Sequence, residues 1–201
     1  MKKLNLLLCL ILLTTIHYSS VCQNLFISKN SSITFFSEAP LENITASNEA
    51  GSMIINAEEQ ELAVKIPIKK FTFLRKLMQE HFNETFMEST KYPYATFKGS
   101  FMQRLDFSKA FTLPISVSGF LTVHGVLKMQ TIEGIIRFDP IHNSMEVDAN
   151  FNINLDDFKV KTPSVLSYKI ANQIEVKTKF TLTEMSQSNI NILTAHRGKH
   201  L

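Results

Sequence analysis

Tryptophan is absent from these 201 residues and tyrosine numbers only 4, while phenylalanine numbers 16. Aromatic bulk therefore comes with almost no polar handle that burial would have to satisfy. This suits a large dry interior, and composition alone favours an ordinary packed core over a hollow one. Cysteine occurs only at Cys9 and Cys22. Both fall in an expected leader, so the remaining chain has no thiol. That excludes disulfides, cysteine metal ligands, a cysteine nucleophile and thiol redox relays. Charge of one sign is also lacking: 21 Lys and Arg against 18 Asp and Glu leave a net +3, and Lys2 and Lys3 leave with the leader. A nearly neutral chain gives no electrostatic case for nucleic acid. No stretch is apolar for long enough to span a bilayer as a helix. There is no Gly-x-Ser-x-Gly elbow and no glycine-rich phosphate loop, and the one His-x-x-x-His spacing, His196 and His200, falls in the polar tail, so neither metal nor cofactor is expected.

The N-terminus carries the most specific local signal. Lys2 and Lys3 precede an apolar run, Leu4 to Ile16, and a polar stretch of small residues, His17 to Cys22. That layout predicts a signal peptide over 1–22, with Ser20 and Cys22 as the small residues third from and next to a cut before Gln23. The protein is then exported, to a periplasm or the extracellular space. Ser19-Ser20-Val21 before Cys22 lacks the earlier Leu and the adjacent small residue usual at lipidated cysteines, so anchoring through Cys22 is disfavoured. A single domain is expected over 23–185 and a flexible polar tail over 186–201. An exported domain without disulfides must rely on its core.

The domain reads as strands around one helix. Asn30-Ser31-Ser32 divides two short apolar runs and predicts a turn. Ser52–Ile55 and Leu62–Ile68 are strand candidates. Over Thr72–Met87, the residues Leu74, Leu77, Met78, His81 and Phe82 fall at the spacing of an amphipathic helix, with Thr72 as its N-cap. A Lys91-Tyr92-Pro93 turn follows. Alternation with period two then marks three long runs: Ile115 to Val123, Met145 to Leu155 and Ile174 to Leu182. Gly125, Gly134 and Asn143 fall between runs, where turns are expected. About eight strands with one apolar face must close or pack on another layer. The expected fold is mainly β: an eight-stranded antiparallel lipocalin-like barrel with a short helix capping one end. A β-sandwich is the alternative.

His81-Phe82 through Phe86, followed by Lys91-Tyr92-Pro93 and Phe97, resembles the central signature of the YceI-like family of polyisoprenoid-binding proteins. Gly119 and Leu121-Thr122-Val123-His124-Gly125-Val126 resemble its second signature. Asp156-Asp157-Phe158 and Ile174–Leu182 resemble its closing segment. The resemblance spans roughly Ile33 to Thr183. The chain departs from the family at Met78-Gln79, where members often carry an Arg-Asp pair, so no role of that pair is transferred. The resemblance implies a barrel that holds an isoprenoid or fatty-acyl chain, and it implies no catalysis.

Alternation and resemblance together nominate a lipid-binding wall of Val64, Ile66, Phe82, Phe86, Phe97, Phe101, Leu121, Val147, Phe151, Val176 and Phe180. The expected partner is an amphiphilic lipid, a polyisoprenoid or a fatty acid. The protein is not expected to span the membrane, and a homodimer is left open. A competing reading is a structural or protein-interaction barrel filled by its own side chains. An enzyme acting on lipid would have to rest on His81 and His124. Alone on the helix stripe and at a strand end, these read better as a core and a rim histidine.

Overall fold

The computed structural model describes residues 24–38, 43–160 and 172–185. The expected leader, most of the loop before the last strand and the C-terminal tail lie outside them. Ten strands form one sheet: β1 (Leu25–Ser37), β2 (Ile44–Asn48), β3 (Ser52–Asn56), β4 (Glu61–Pro67), β5 (Thr72–Phe73), β6 (Tyr94–Ser100), β7 (Phe111–Val123), β8 (Val126–Asp139), β9 (Ser144–Asn154) and β10 (Gln173–Glu184). Eight of them close a ring in the order β1–β3–β4–β6–β7–β8–β9–β10, and β10 pairs back onto β1. All the pairings are antiparallel. The fold is therefore the expected closed barrel, and closure leaves the ring without a free edge.

β2 and β3 act as one strand broken at Glu49–Gly51. β2 pairs with Ile33–Ser37 of β1, and β3 with Leu25–Ile27. The break is fixed by Asn48, which is buried. Its Nδ2 donates to the Pro67 carbonyl (2.9 Å), and its Oδ1 accepts from Ala50 N–H (2.8 Å). Beyond the break the sheet forks. β4 follows β3 around the ring, while β5 adds to the outer edge of β2. The fork opens one end of the barrel, and the chain from Ile68 to Met87 covers it. That chain holds a 3-10 turn Ile68–Lys70, helix α1 (Lys76–His81) and a π-helical turn Phe82–Phe86.

Side chains alternate as the period-two pattern requires. Met145, Val147 and Ile153 of β9 and Val176, Phe180 and Leu182 of β10 are buried in a single core. Two phenylalanine clusters bracket that core. Phe26, Phe107, Phe111 and Phe138 close one end, with ring centroids 5.1 to 6.0 Å apart. Phe35, Phe71, Phe73 and Phe82 gather at the helical end, 4.9 to 5.7 Å apart. Both sets fall within the spacing favoured by offset and edge-to-face rings.

Four expectations are corrected. Asn30–Ser32 is not a turn: β1 runs straight through it, paired with β10, and an extra residue between Ser28 and Asn30 is absorbed as a bulge. Gly134 is not a turn either. It pairs with Ile115 and Ala149 inside β8, and a Cβ there would lie 2.5 Å from the Asp148 carbonyl oxygen. Thr72 does not cap a helix. It sits in β5, its hydroxyl donating to the Ser47 carbonyl (3.1 Å), and Arg75 occupies the position before α1. Strand pairing has overridden helical periodicity there. Finally, the stripe does not face inward as a whole: Leu74, Leu77 and His81 are exposed. Leu74 lies outside the helix, at the bend between β5 and α1, and a π turn follows α1. Met87 N–H bonds the Phe82 carbonyl (2.9 Å), which widens the last turn and sends Phe82, Phe86 and Met87 inward instead.

Candidate functional site

Two apolar cavities lie along the barrel interior. The first, about 80 Å³, sits in mid-barrel among residues such as Met53, Leu62, Ile115, Val117 and Ile132. The second, about 150 Å³, lies under the helical cap among Ile33, Phe35, Phe71, Phe73, Phe82, Phe86 and Met87. Ile66, Ala95, Leu121 and Phe151 line both. These four side chains form a waist, and the cavities are two chambers of one tunnel. Ser37 is the only polar residue on the wall of the outer chamber among the described residues. Thr96, Asp148 and Thr178 are the only ones on the inner wall among the described residues. A void with such walls is dry and takes apolar guests. A chamber of about 150 Å³ holds a group the size of a small aromatic ring.

The residues nominated from sequence distribute along this tunnel. Val64, Phe97, Val147 and Phe180 line the inner chamber. Ile66, Leu121 and Phe151 stand at the waist, and Phe82, Phe86 and Val176 line the outer chamber. Phe101 alone lies off both. It follows the end of β6, where its N–H bonds the Gln60 carbonyl (2.9 Å), and its side chain is buried in the core. Sequence reasoning missed Ala95, too small to attract notice, and the cluster Phe35, Phe71 and Phe73, whose strand alternation was legible only for Phe35. Met78, where the chain departs from the family signature, also lines the outer chamber.

The rim of the outer chamber is held by a polar clasp. His124 and Gly125 form the two-residue turn between β7 and β8, with φ of 49° and 72°. Positive φ at both positions is the I′ geometry that suits strand twist. A Cβ on Gly125 would lie 2.4 Å from Tyr92 Cε1, so the Tyr92 ring sits flat on the turn. The His124 ring meets that of Tyr92 edge-on at 4.6 Å. Its Nε2 lies 2.9 Å from Glu88 Oε2, and its Nδ1 lies 3.3 Å from the Phe158 carbonyl oxygen. Both partners are acceptors, so the ring donates to one in either neutral tautomer and to both when protonated. His124 thus ties together the loop after the helical cap, the β7–β8 turn and the 3-10 turn Asp156–Phe158. Beside the clasp, hydrogen bonding with Tyr92, and then attraction to Glu88, holds the Lys91 ammonium above its ordinary pKa. His81 takes no part and points to solvent. Neither histidine lines a cavity. No group of three or more metal-ligating side chains occurs among the described residues. No described helix is long and apolar enough to cross a membrane.

A closed eight-stranded antiparallel barrel with a dry interior and a covered mouth belongs to the class of single-chain barrels whose lumen can hold one small ligand. A family model described as YceI-like domain matches residues 26–182, and the chain belongs to that family. Solved structures share the fold. A polyisoprenoid binding domain from Saccharophagus degradans, implicated in plant cell wall breakdown, superposes with a TM-score of 0.68 at 14% identity, covering 80% of this chain and 98% of that one. BcnA from Burkholderia cenocepacia gives a TM-score of 0.62 at 16% identity, covering 75% and 95%. A YCEI protein from Campylobacter jejuni gives 0.56 at 17%, covering 74% and 90%. No curated protein sequence matches.

Proposed function

We propose that this protein is an exported carrier that holds a polyisoprenoid or fatty-acyl chain within the barrel. The observation that carries this reading is the pair of chambers joined at one waist, walled almost wholly by carbon. Each methylene moved from water into such a wall contributes about 0.8 kcal/mol. Eight buried methylenes supply about 6 kcal/mol before the cost of ordering the chain. The binding named for the Saccharophagus relative points the same way. Among the described residues, neither histidine is arranged for catalysis in the tunnel: His81 is outside, and both ring nitrogens of His124 face protein acceptors.

A second reading has its own observation. As they stand, chambers of about 80 and 150 Å³ take only short groups, so the barrel could be filled by its own side chains. The two readings separate on whether the waist yields to a guest. Competition of prenyl alcohols and fatty acids of increasing length against a fluorescent fatty acid tests this. The carrier reading expects saturable displacement that strengthens with chain length. Absence of any binding would favour the filled barrel. Export is tested by N-terminal sequencing of protein from the native host, expected to begin at Gln23.

A further inference from the structure

The segment that covers the outer chamber has a second face. Ile68, Phe71, Phe73, Met78, Phe82 and Phe86 point into the tunnel. Between them the chain presents the opposite pattern to solvent. Leu74 is 99% exposed and Leu77 is 63% exposed, among the barest large apolar side chains in the molecule. Four cations flank them, Lys69 and Lys70 on one side and Arg75 and Lys76 between them, all exposed. Lys69, Lys70 and Lys76 make no ion pair with any described residue. Only Glu80 and Glu84 oppose them between Ile68 and Met87, so the cap is net basic.

The exposure is fixed by structure rather than by fraying. Leu74 sits at the bend between β5 and α1. Phe73 N–H bonds Gln79 Oε1 (3.4 Å) just before it, and Gln79 N–H bonds the Arg75 carbonyl (3.2 Å) just after it. Phe73 is clamped in the aromatic cluster. With Phe73 held inward, Leu74 must point out.

We propose that this cap is a membrane-docking surface, in which Leu74 and Leu77 enter the interfacial layer of an anionic bilayer while Lys69, Lys70 and Lys76 meet its headgroups. Bare leucines ringed by cations are the chemistry of interfacial anchors. The charge is complementary to an anionic leaflet, whose pull falls off within a Debye length. Docking through this face sets the mouth of the outer chamber against the bilayer, because one stretch of chain forms both. The surface does not depend on an occupied tunnel, so it stands or falls separately from the carrier reading.

The test is co-sedimentation of the intact protein with vesicles of phosphatidylcholine and phosphatidylglycerol at 3:1, against phosphatidylcholine alone, at low and high salt. Binding is expected to the anionic vesicles and to be lost at high salt. Leu74→Ser/Leu77→Ser should weaken it at least tenfold with little change in melting temperature, since Leu74 is wholly and Leu77 mostly in water. Lys69→Gln/Lys70→Gln/Lys76→Gln should weaken it roughly fivefold per cation, about a hundredfold together. The proposal is overturned if the wild-type protein ignores anionic vesicles, if it binds neutral ones equally, or if the serine variant sediments like the wild type. Tight lipid binding in solution with no vesicle binding would reject the docking surface and leave the carrier reading intact.

Discussion

Phe151 is the side chain on which the tunnel turns. It faces both chambers from β9, opposite Ile66, Ala95 and Leu121. Phe151→Ala should remove the largest block in the waist and merge the chambers. Truncation of a phenylalanine in a solid core costs about 3–5 kcal/mol. Phe151 is only half-buried and already borders empty space on two sides, so the expected loss falls at or below the bottom of that range, about 2–3 kcal/mol. For a chain of this size that lowers the melting temperature by roughly 5–10 °C. A long apolar guest should then gain what the protein lost, because it can thread the merged space. At a free concentration one hundred times its Kd, such a guest returns about 2.7 kcal/mol and nearly restores the wild-type melting temperature. The assay is calorimetric melting of wild-type and variant protein with a C10 and a C20 prenyl alcohol. The reasoning predicts that the C20 alcohol stabilises the variant more than the wild type, and that the C10 alcohol discriminates less. Equal responses to the two lengths, or a variant that melts like the wild type, would show that Phe151 does not divide the tunnel. The corresponding change at Phe180 is less informative. At 1% exposure it is part of the packed core, so a polar residue there tests folding before it tests binding.

Three further outcomes follow from named contacts. Ala95→Phe should plug the same waist from the opposite wall, sparing affinity for short chains while cutting that for C20 chains at least tenfold in the displacement assay. Gly125→Ala places a methyl 2.4 Å from Tyr92 at a φ of +72°. It should cost about 1–2 kcal/mol from backbone conformation alone, with more from the displaced ring, read as a lower denaturant midpoint. Glu88→Ala removes the acceptor from His124 Nε2; with Glu88 about half exposed, the expected loss is roughly 1 kcal/mol. Faster amide exchange confined to the loop after the cap and the 3-10 turn near Phe158 would identify His124 as the clasp between them.

The long strands were legible because their alternation is local and complete. Met145 to Leu155 and Ile174 to Leu182 needed only their own pattern to reveal an inner face. What failed was set by distant partners. Asn30–Ser32 has turn chemistry, but pairing with β10 along the whole of β1 outweighs it, and one bulge absorbs the mismatch. Thr72 has the chemistry of an N-cap and opens the helical segment, yet the free edge of β2 recruits it and Phe73 as a strand. Leu74 lies at the bend before α1 and stands in solvent with Leu77, while the π turn after His81 keeps Phe82, Phe86 and Met87 on the tunnel. The tunnel wall was largely readable because a barrel sends every second residue of each strand to its lumen. Phe101 was misplaced because alternation stops at the end of β6. Ala95 was missed because a waist is defined by the space between side chains, and no single residue signals it.

A protein that carries an apolar chain in its tunnel should leave its host with that chain bound. The most direct measurement is native mass spectrometry of the protein gently purified from an exporting host, compared with its denatured spectrum. A carrier should show a stoichiometric extra mass that is released on denaturation and is identified as a prenyl or acyl chain. A bare polypeptide mass, together with failure of added isoprenoids and fatty acids to bind, would contradict it and leave a barrel filled by its own phenylalanines.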